Sequence, residues 1–104
     1  MSKYEIYVSE RAQKDLQKIV DYLSLQLLEP SISKNIMTTI DTAILGLQDM
    51  PQRYSLVSDK SIKKADVRKL VVKNYIVFFK IYEEKKRVGI VRILNGRRNW
   101  QKMI

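Results

Sequence analysis

The sequence predicts an α+β fold of order β-α-α-β-β-β, an antiparallel sheet with an N-terminal helix hairpin packed on one face. Three observations carry that prediction. The first residues alternate in polarity, two apolar stripes at helical spacing follow with a proline between them, and alternating runs joined by short polar turns fill the second half.

The elements follow in chain order. In Lys3 to Val8, Tyr4, Ile6 and Val8 fall on one side and Lys3, Glu5 and Tyr7 on the other, which predicts a short strand. Ser9 is a suitable N-cap, and Glu10 suits the electropositive first turn of a helix. Ala12, Leu16, Ile19, Val20, Leu23 and Leu27 form the first helical stripe, which Glu29-Pro30 is expected to end. Ser31 or Ser33 is the expected cap of a second helix with the stripe Ile36, Met37, Ile40, Ile44 and Leu47, stopped at Asp49-Met50-Pro51. So short a link predicts an antiparallel hairpin. Gln52 to Ala65 has no clean period and reads as a basic loop with a turn near Tyr54 to Val57. Strands are predicted over Asp66 to Val72, Tyr75 to Tyr82 and Arg87 to Leu94. Lys73-Asn74 is a tight turn in which Asn is the residue suited to positive φ, and Glu83 to Lys86 closes the second hairpin. Asn95 to Ile104 is a basic tail, and residues 1–104 read as a single domain.

Alternation assigns the two faces of the sheet. Leu70, Val72, Tyr75, Val77, Phe79, Ile81, Gly89, Val91 and Ile93 are expected to meet the helices. The opposite face carries Val67, Val71, Ile76, Phe78, Tyr82, Val88, Ile90 and Leu94 with four cations among them, Lys69, Lys73, Lys80 and Arg92. An open surface of that composition predicts a binding face, because apolar patches of this kind are seldom left uncovered.

Composition narrows the chemistry. The chain has 104 residues and a net charge of +9, with no Cys and no His. Thiolate zinc sites, disulfides and every imidazole-based mechanism are therefore excluded. No metal or cofactor site is expected. The charge is unevenly placed: residues 1–50 hold 5 basic and 7 acidic side chains, residues 51–104 hold 15 and 4. Such asymmetry predicts a polyanion or an acidic protein as partner. There is no apolar leader and no run long enough to span a membrane, so a cytoplasmic location is expected.

The most distinctive segment is Val91-Arg92-Ile93-Leu94-Asn95-Gly96-Arg97-Arg98-Asn99-Trp100. With Ser9-Glu10-Arg11-Ala12-Gln13-Lys14-Asp15-Leu16 after the opening strand, the Met50-Pro51 stop, and Val67-Arg68-Lys69-Leu70 followed by Tyr75-Ile76-Val77-Phe78-Phe79, it resembles the RelE/ParE superfamily of toxins from type II toxin-antitoxin modules. The resemblance covers the whole chain. It implies a cytoplasmic toxin neutralised by a cognate antitoxin, with operator DNA bound only through the antitoxin complex. It also implies one of two targets: RelE-like members cleave mRNA on the ribosome, and ParE-like members poison DNA gyrase.

Cleavage of RNA without His needs lysine and arginine for proton transfer and charge stabilisation. On the RelE pattern Lys69 matches one lysine and Arg98 one arginine, the two candidate catalytic residues. Val67 stands where the second strand lysine would be, Ile76 where the next strand carries arginine, and Trp100 to Ile104 holds no tyrosine. The depleted set favours the ParE-like, gyrase-directed reading. A RelE-like nuclease and a non-toxic module binding nucleic acid or a partner are the alternatives. Candidate antitoxin- or target-binding residues are Lys69, Lys73, Ile76, Phe78, Lys80, Tyr82, Arg92, Arg97, Arg98 and Trp100.

Overall fold

The structure, a computed structural model, describes residues 3–26, 30–57 and 66–97. Leu27, the lysines 60, 63 and 64, Arg98 and Trp100 lie outside the described residues. The elements are β1 (Glu5–Val8), α1 (Glu10–Gln26), α2 (Pro30–Leu45), β2 (Arg68–Val72), β3 (Tyr75–Tyr82) and β4 (Arg87–Asn95). The sheet order is β1-β4-β3-β2. β2, β3 and β4 are antiparallel neighbours, and β1 joins parallel to β4, which makes the sheet mixed. The helix pair carries the chain from β1 at one edge to β2 at the other, and the two hairpins that follow bring β4 back beside β1.

α1 starts as expected, with the Ala12 N–H donating to Ser9 Oγ at 3.1 Å. Its stripe puts Ala12, Ile19 and Leu23 into the main core, with Leu16 packed against it. Pro30 begins α2 rather than closing α1. At a first helical position its missing N–H costs nothing and its fixed φ suits the helix. Ser31 and Ser33 therefore lie inside α2 and are not its caps.

The main core lies between helices and sheet. Ile40, Ile44 and Leu47 meet Leu70, Val72, Val77, Phe79, Val88, Ile90 and Ile93 there. Val88 and Ile90 thus face the helices, the reverse of the expected assignment, and Val91 packs on the opposite side. The cause is a β-bulge: Phe78 pairs with Arg92 and Phe79 with Ile90, so Val91 is an extra residue and the alternation slips by one. In the turn after β2 the positive φ of 57° falls on Lys73, not on Asn74.

Residues 54–57 are not a free turn. Leu56 bridges Arg68, the Val57 N–H donates to Val67 O at 2.7 Å, and the Lys69 N–H donates to Ser55 O at 3.1 Å. This partial strand covers the start of the outer edge of β2, where open ladder groups would otherwise invite pairing. A single bridge has no period for a sequence to display.

At the opposite end of the sheet Glu83 ties three segments together. It accepts from Tyr4 Oη at 2.7 Å and from Gln52 Nε2 at 2.7 Å. The Tyr4 hydroxyl, followed by the Gln52 amide, holds the Glu83 carboxyl below its ordinary value of 4.5. A lowered folded-state value means that this stability is present above the unfolded value and is lost as pH falls through the folded one. Glu83→Gln is therefore expected to flatten the acid limb of the stability curve below pH 4.5 and to leave its neutral limb unchanged in shape, read by urea unfolding across pH.

Candidate functional site

The far face of the sheet is built in rows. Lys69, Phe78 and Arg92 lie abreast, and Val71, Ile76 and Leu94 form the next row. This face is not the open cationic patch that alternation alone predicts. Val67, Ile76, Phe78 and Leu94 form a second buried cluster with Val57 and Val91 packed on it, and Phe78 is 0% exposed. Lys69 and Lys80 flank the cluster half-buried, and Tyr82 is exposed.

Arg92 is not an available surface cation. Its Nε donates to Asp15 Oδ2 at 2.8 Å and its Nη2 to Asp15 Oδ1 at 2.9 Å, and both side chains are buried. Asp15 Oδ2 also accepts the Ile93 N–H at 3.0 Å. β1 pairs with β4 only as far as Ile90, so α1 supplies from Asp15 the acceptor that a longer β1 would have offered. Sequence reasoning missed Asp15, although a carboxylate between Ala12 and Ile19 on the inward stripe was the available signal.

Lys73 and Arg97 do come together. The Gly96 N–H donates to Asn74 O at 2.8 Å, which stitches the exit of β4 to the β2–β3 turn. A hollow of about 500 Å³ lies against that stitch, lined by Tyr22, Leu23, Ile36, Lys73, Tyr75 and Arg97 among others. A second of about 410 Å³, bounded by Asp15, Lys18, Ile19 and Ile93, shares Tyr22, Tyr75 and Asn95 with the first. The two make one groove along α1, with an apolar and aromatic floor and with Lys18, Lys73 and Arg97 in its walls. Burial, and then the neighbouring Tyr22, raises Tyr75 above the ordinary phenol value, so it stays a neutral hydroxyl at physiological pH. Lys18, Tyr22 and Tyr75 were not among the expected site residues, because the groove is made by the approach of α1 to the end of β4.

Of the candidate catalytic pair only Lys69 lies within the described residues. The positions matched to its partner cations hold Val67 and Ile76, both buried in the second cluster. That arrangement offers an apolar wall where phosphoryl chemistry needs charge. Among the described residues there is no group of three His, Cys, Asp or Glu side chains that could hold a metal.

The sequence profile of the family described as ParE toxin of type II toxin-antitoxin system, parDE, matches residues 6–100. The chain belongs to the ParE toxin family. Solved structures share its fold. A chain of the chromosomal ParDE system from P. aeruginosa superposes with a TM-score of 0.73 at 18% identity, covering 89% of this chain and 96% of its own. A chain of the RelBE2 toxin-antitoxin complex from Mycobacterium tuberculosis gives 0.62 at 21% identity, with coverages of 91% and 93%. A mutant of the E. coli toxin RelE in the free state gives 0.58 at 14% identity, with coverages of 99% and 93%. No curated protein matches the chain by sequence. Among the described residues of this ParE-family chain, no helix is long and apolar enough to cross a membrane.

Proposed function

We propose that this ParE-family toxin acts on DNA gyrase and is neutralised by a cognate antitoxin. The observation that carries the choice of target is the apolar cluster of Val67, Ile76, Phe78 and Leu94, which fills the place where a RelE-like nuclease needs cations. Supercoiling by purified gyrase in the presence of the toxin is the direct test, run beside ribosome-dependent cleavage of an mRNA. Inhibition of supercoiling with intact mRNA is the expected result. Codon-phased cleavage with unaffected gyrase would reverse the assignment, and activity in neither assay would favour a non-toxic binding module.

The groove along α1 is the proposed antitoxin seat. Its floor offers Tyr75, Ile19 and Leu23, while Lys18, Lys73 and Arg97 suit an acidic segment lying across it. This moves the expected contact surface from the far face to the end of the sheet. Lys73→Glu with Arg97→Glu is expected to weaken the toxin-antitoxin complex at least about tenfold, equivalent to about 1.4 kcal/mol. The melting temperature of the free toxin should fall little, since both side chains are exposed. Unchanged affinity in a calorimetric titration would place the antitoxin elsewhere.

A further inference from the structure

A second strip of the far face lies beside β1, apart from both the groove and Lys69. Register places Tyr7, Gly89 and Lys80 in one row and Glu5, Arg87 and Tyr82 in the next. Ile6, Val8, Ile81, Val88 and Ile90 all turn into the helix-side core, so alternation sends Tyr7, Arg87 and Tyr82 outward. The two rings stay in solvent, Tyr7 at 61% and Tyr82 at 46% exposure.

Gly89 lets the Tyr82 ring close down onto the strand beside Tyr7. A Cβ there would stand 3.1 Å from Tyr82 Cε2, so even a methyl group would press on the ring. Next to this contact is a hollow of about 250 Å³ with Tyr7, Tyr82, Gly89, Lys85 and Arg87 in its walls. The Arg87 guanidinium lies 5.9 Å from the centre of the Tyr7 ring and 3.8 Å from the Glu5 carboxylate. Lys80, beside Gly89 in the ladder, adds a further cation, against the single carboxylate of Glu5 in these rows.

We infer that this hollow is a nucleotide-binding site, in which a base lies against the tyrosine rings beside Gly89 and its phosphate meets Arg87 and Lys85. A flat aromatic ligand gains from exposed rings, and a phosphate gains from the cations beside them. Tyr82 lying over Gly89 is accounted for by packing alone, but that packing leaves Tyr7 unexplained. An acidic peptide would satisfy the cations and make no use of a ring-walled slot. A free mononucleotide and a nucleotide within a single strand present the same chemistry. The inference does not depend on the gyrase reading and is tested apart from it.

The experiment follows fluorescence anisotropy of a labelled single-stranded oligothymidylate on the purified toxin, with AMP and poly-glutamate as competitors and a duplex of equal length as a second probe. Tyr7→Ala and Tyr82→Ala are each expected to weaken single-strand binding, by about fivefold to a little over a hundredfold. Tyr7→Phe should retain the affinity, which separates loss of stacking from loss of fold. Arg87→Gln should lower the slope of log affinity on log salt by about one. Competition by AMP identifies a free nucleotide as sufficient, and its absence with intact strand binding identifies a nucleotide held in a chain. Wild-type affinity in Tyr7→Ala, equal binding of duplex and single strand, or displacement by poly-glutamate that is itself sensitive to Tyr7 would overturn the proposal.

Discussion

Asp15→Ala is expected to cost the fold about 3–5 kcal/mol, the range for removing one partner of a buried ion pair. Three donations end on this carboxylate: Arg92 Nε, Arg92 Nη2 and the Ile93 N–H. Truncation strips the acceptor from all of them and takes from the buried guanidinium the carboxylate that holds it from two nitrogens. A domain of this size has roughly 5–15 kcal/mol in total, so the variant would sit near the folding threshold. Asp15→Asn keeps an acceptor for the Ile93 N–H and should lose less. Asp15→Leu combined with Arg92→Met, which removes both charges, should recover most of the loss. Urea unfolding of the three variants checks the order. If Asp15→Ala lost under about 1 kcal/mol, the pair would be behaving like an exposed one.

The same pair shows why parts of the molecule were legible in the sequence and parts were not. Ser9 as a cap, the stripe from Ala12 to Leu23 and the hairpins around Lys73-Asn74 and Glu83 to Lys86 depend on neighbours within a few residues, and local patterns report them. Pro30 was ambiguous for a physical reason, since the residue that ends one helix also suits the first turn of the next. The bulge at Val91 was hidden because Val88 to Val91 carries no polar side chain, so a slip of one residue within it leaves no local mark; Arg87, which unbroken alternation would turn toward the helices, was the available signal. That slip accounts for the misassignment of Val88 and Ile90. Arg92 looked like a free cation because its partner lies 77 residues away in α1. The groove shows the converse. Lys73 and Arg97 were legible as cations near strand ends, but only the close packing of the β4 exit on the β2–β3 turn brings them to one wall.

Val67→Lys puts a cation back at the position matched to a RelE-like strand lysine, and it is expected to cost about 4 kcal/mol at neutral pH without conferring RNA cleavage. Val67 is 2% exposed and packs with Ile76, Phe78 and Leu94. A lysine there loses its hydration and gains no carboxylate from that cluster, so its folded-state value falls from the ordinary value of about 10.4 by roughly 3 units or more. Each unit corresponds to about 1.36 kcal/mol. The sign follows from the lowered value. The penalty is complete below the folded value, shrinks as pH rises, and vanishes above the unfolded value, so the variant should regain stability between pH 7 and about 10 relative to the parent. Urea unfolding at several pH values reads this directly. An indifferent Val67→Lys with new ribosome-dependent cleavage would mean that the apolar cluster tolerates the nuclease set, and the argument for gyrase would lose its support. A large pH-dependent loss with no cleavage would mean that the sheet has exchanged catalytic charge for packing. Around this cluster the described cations then stand at its margins, at Lys69 and Lys80, and at the strand ends, where Lys73 and Arg97 are exposed to a partner.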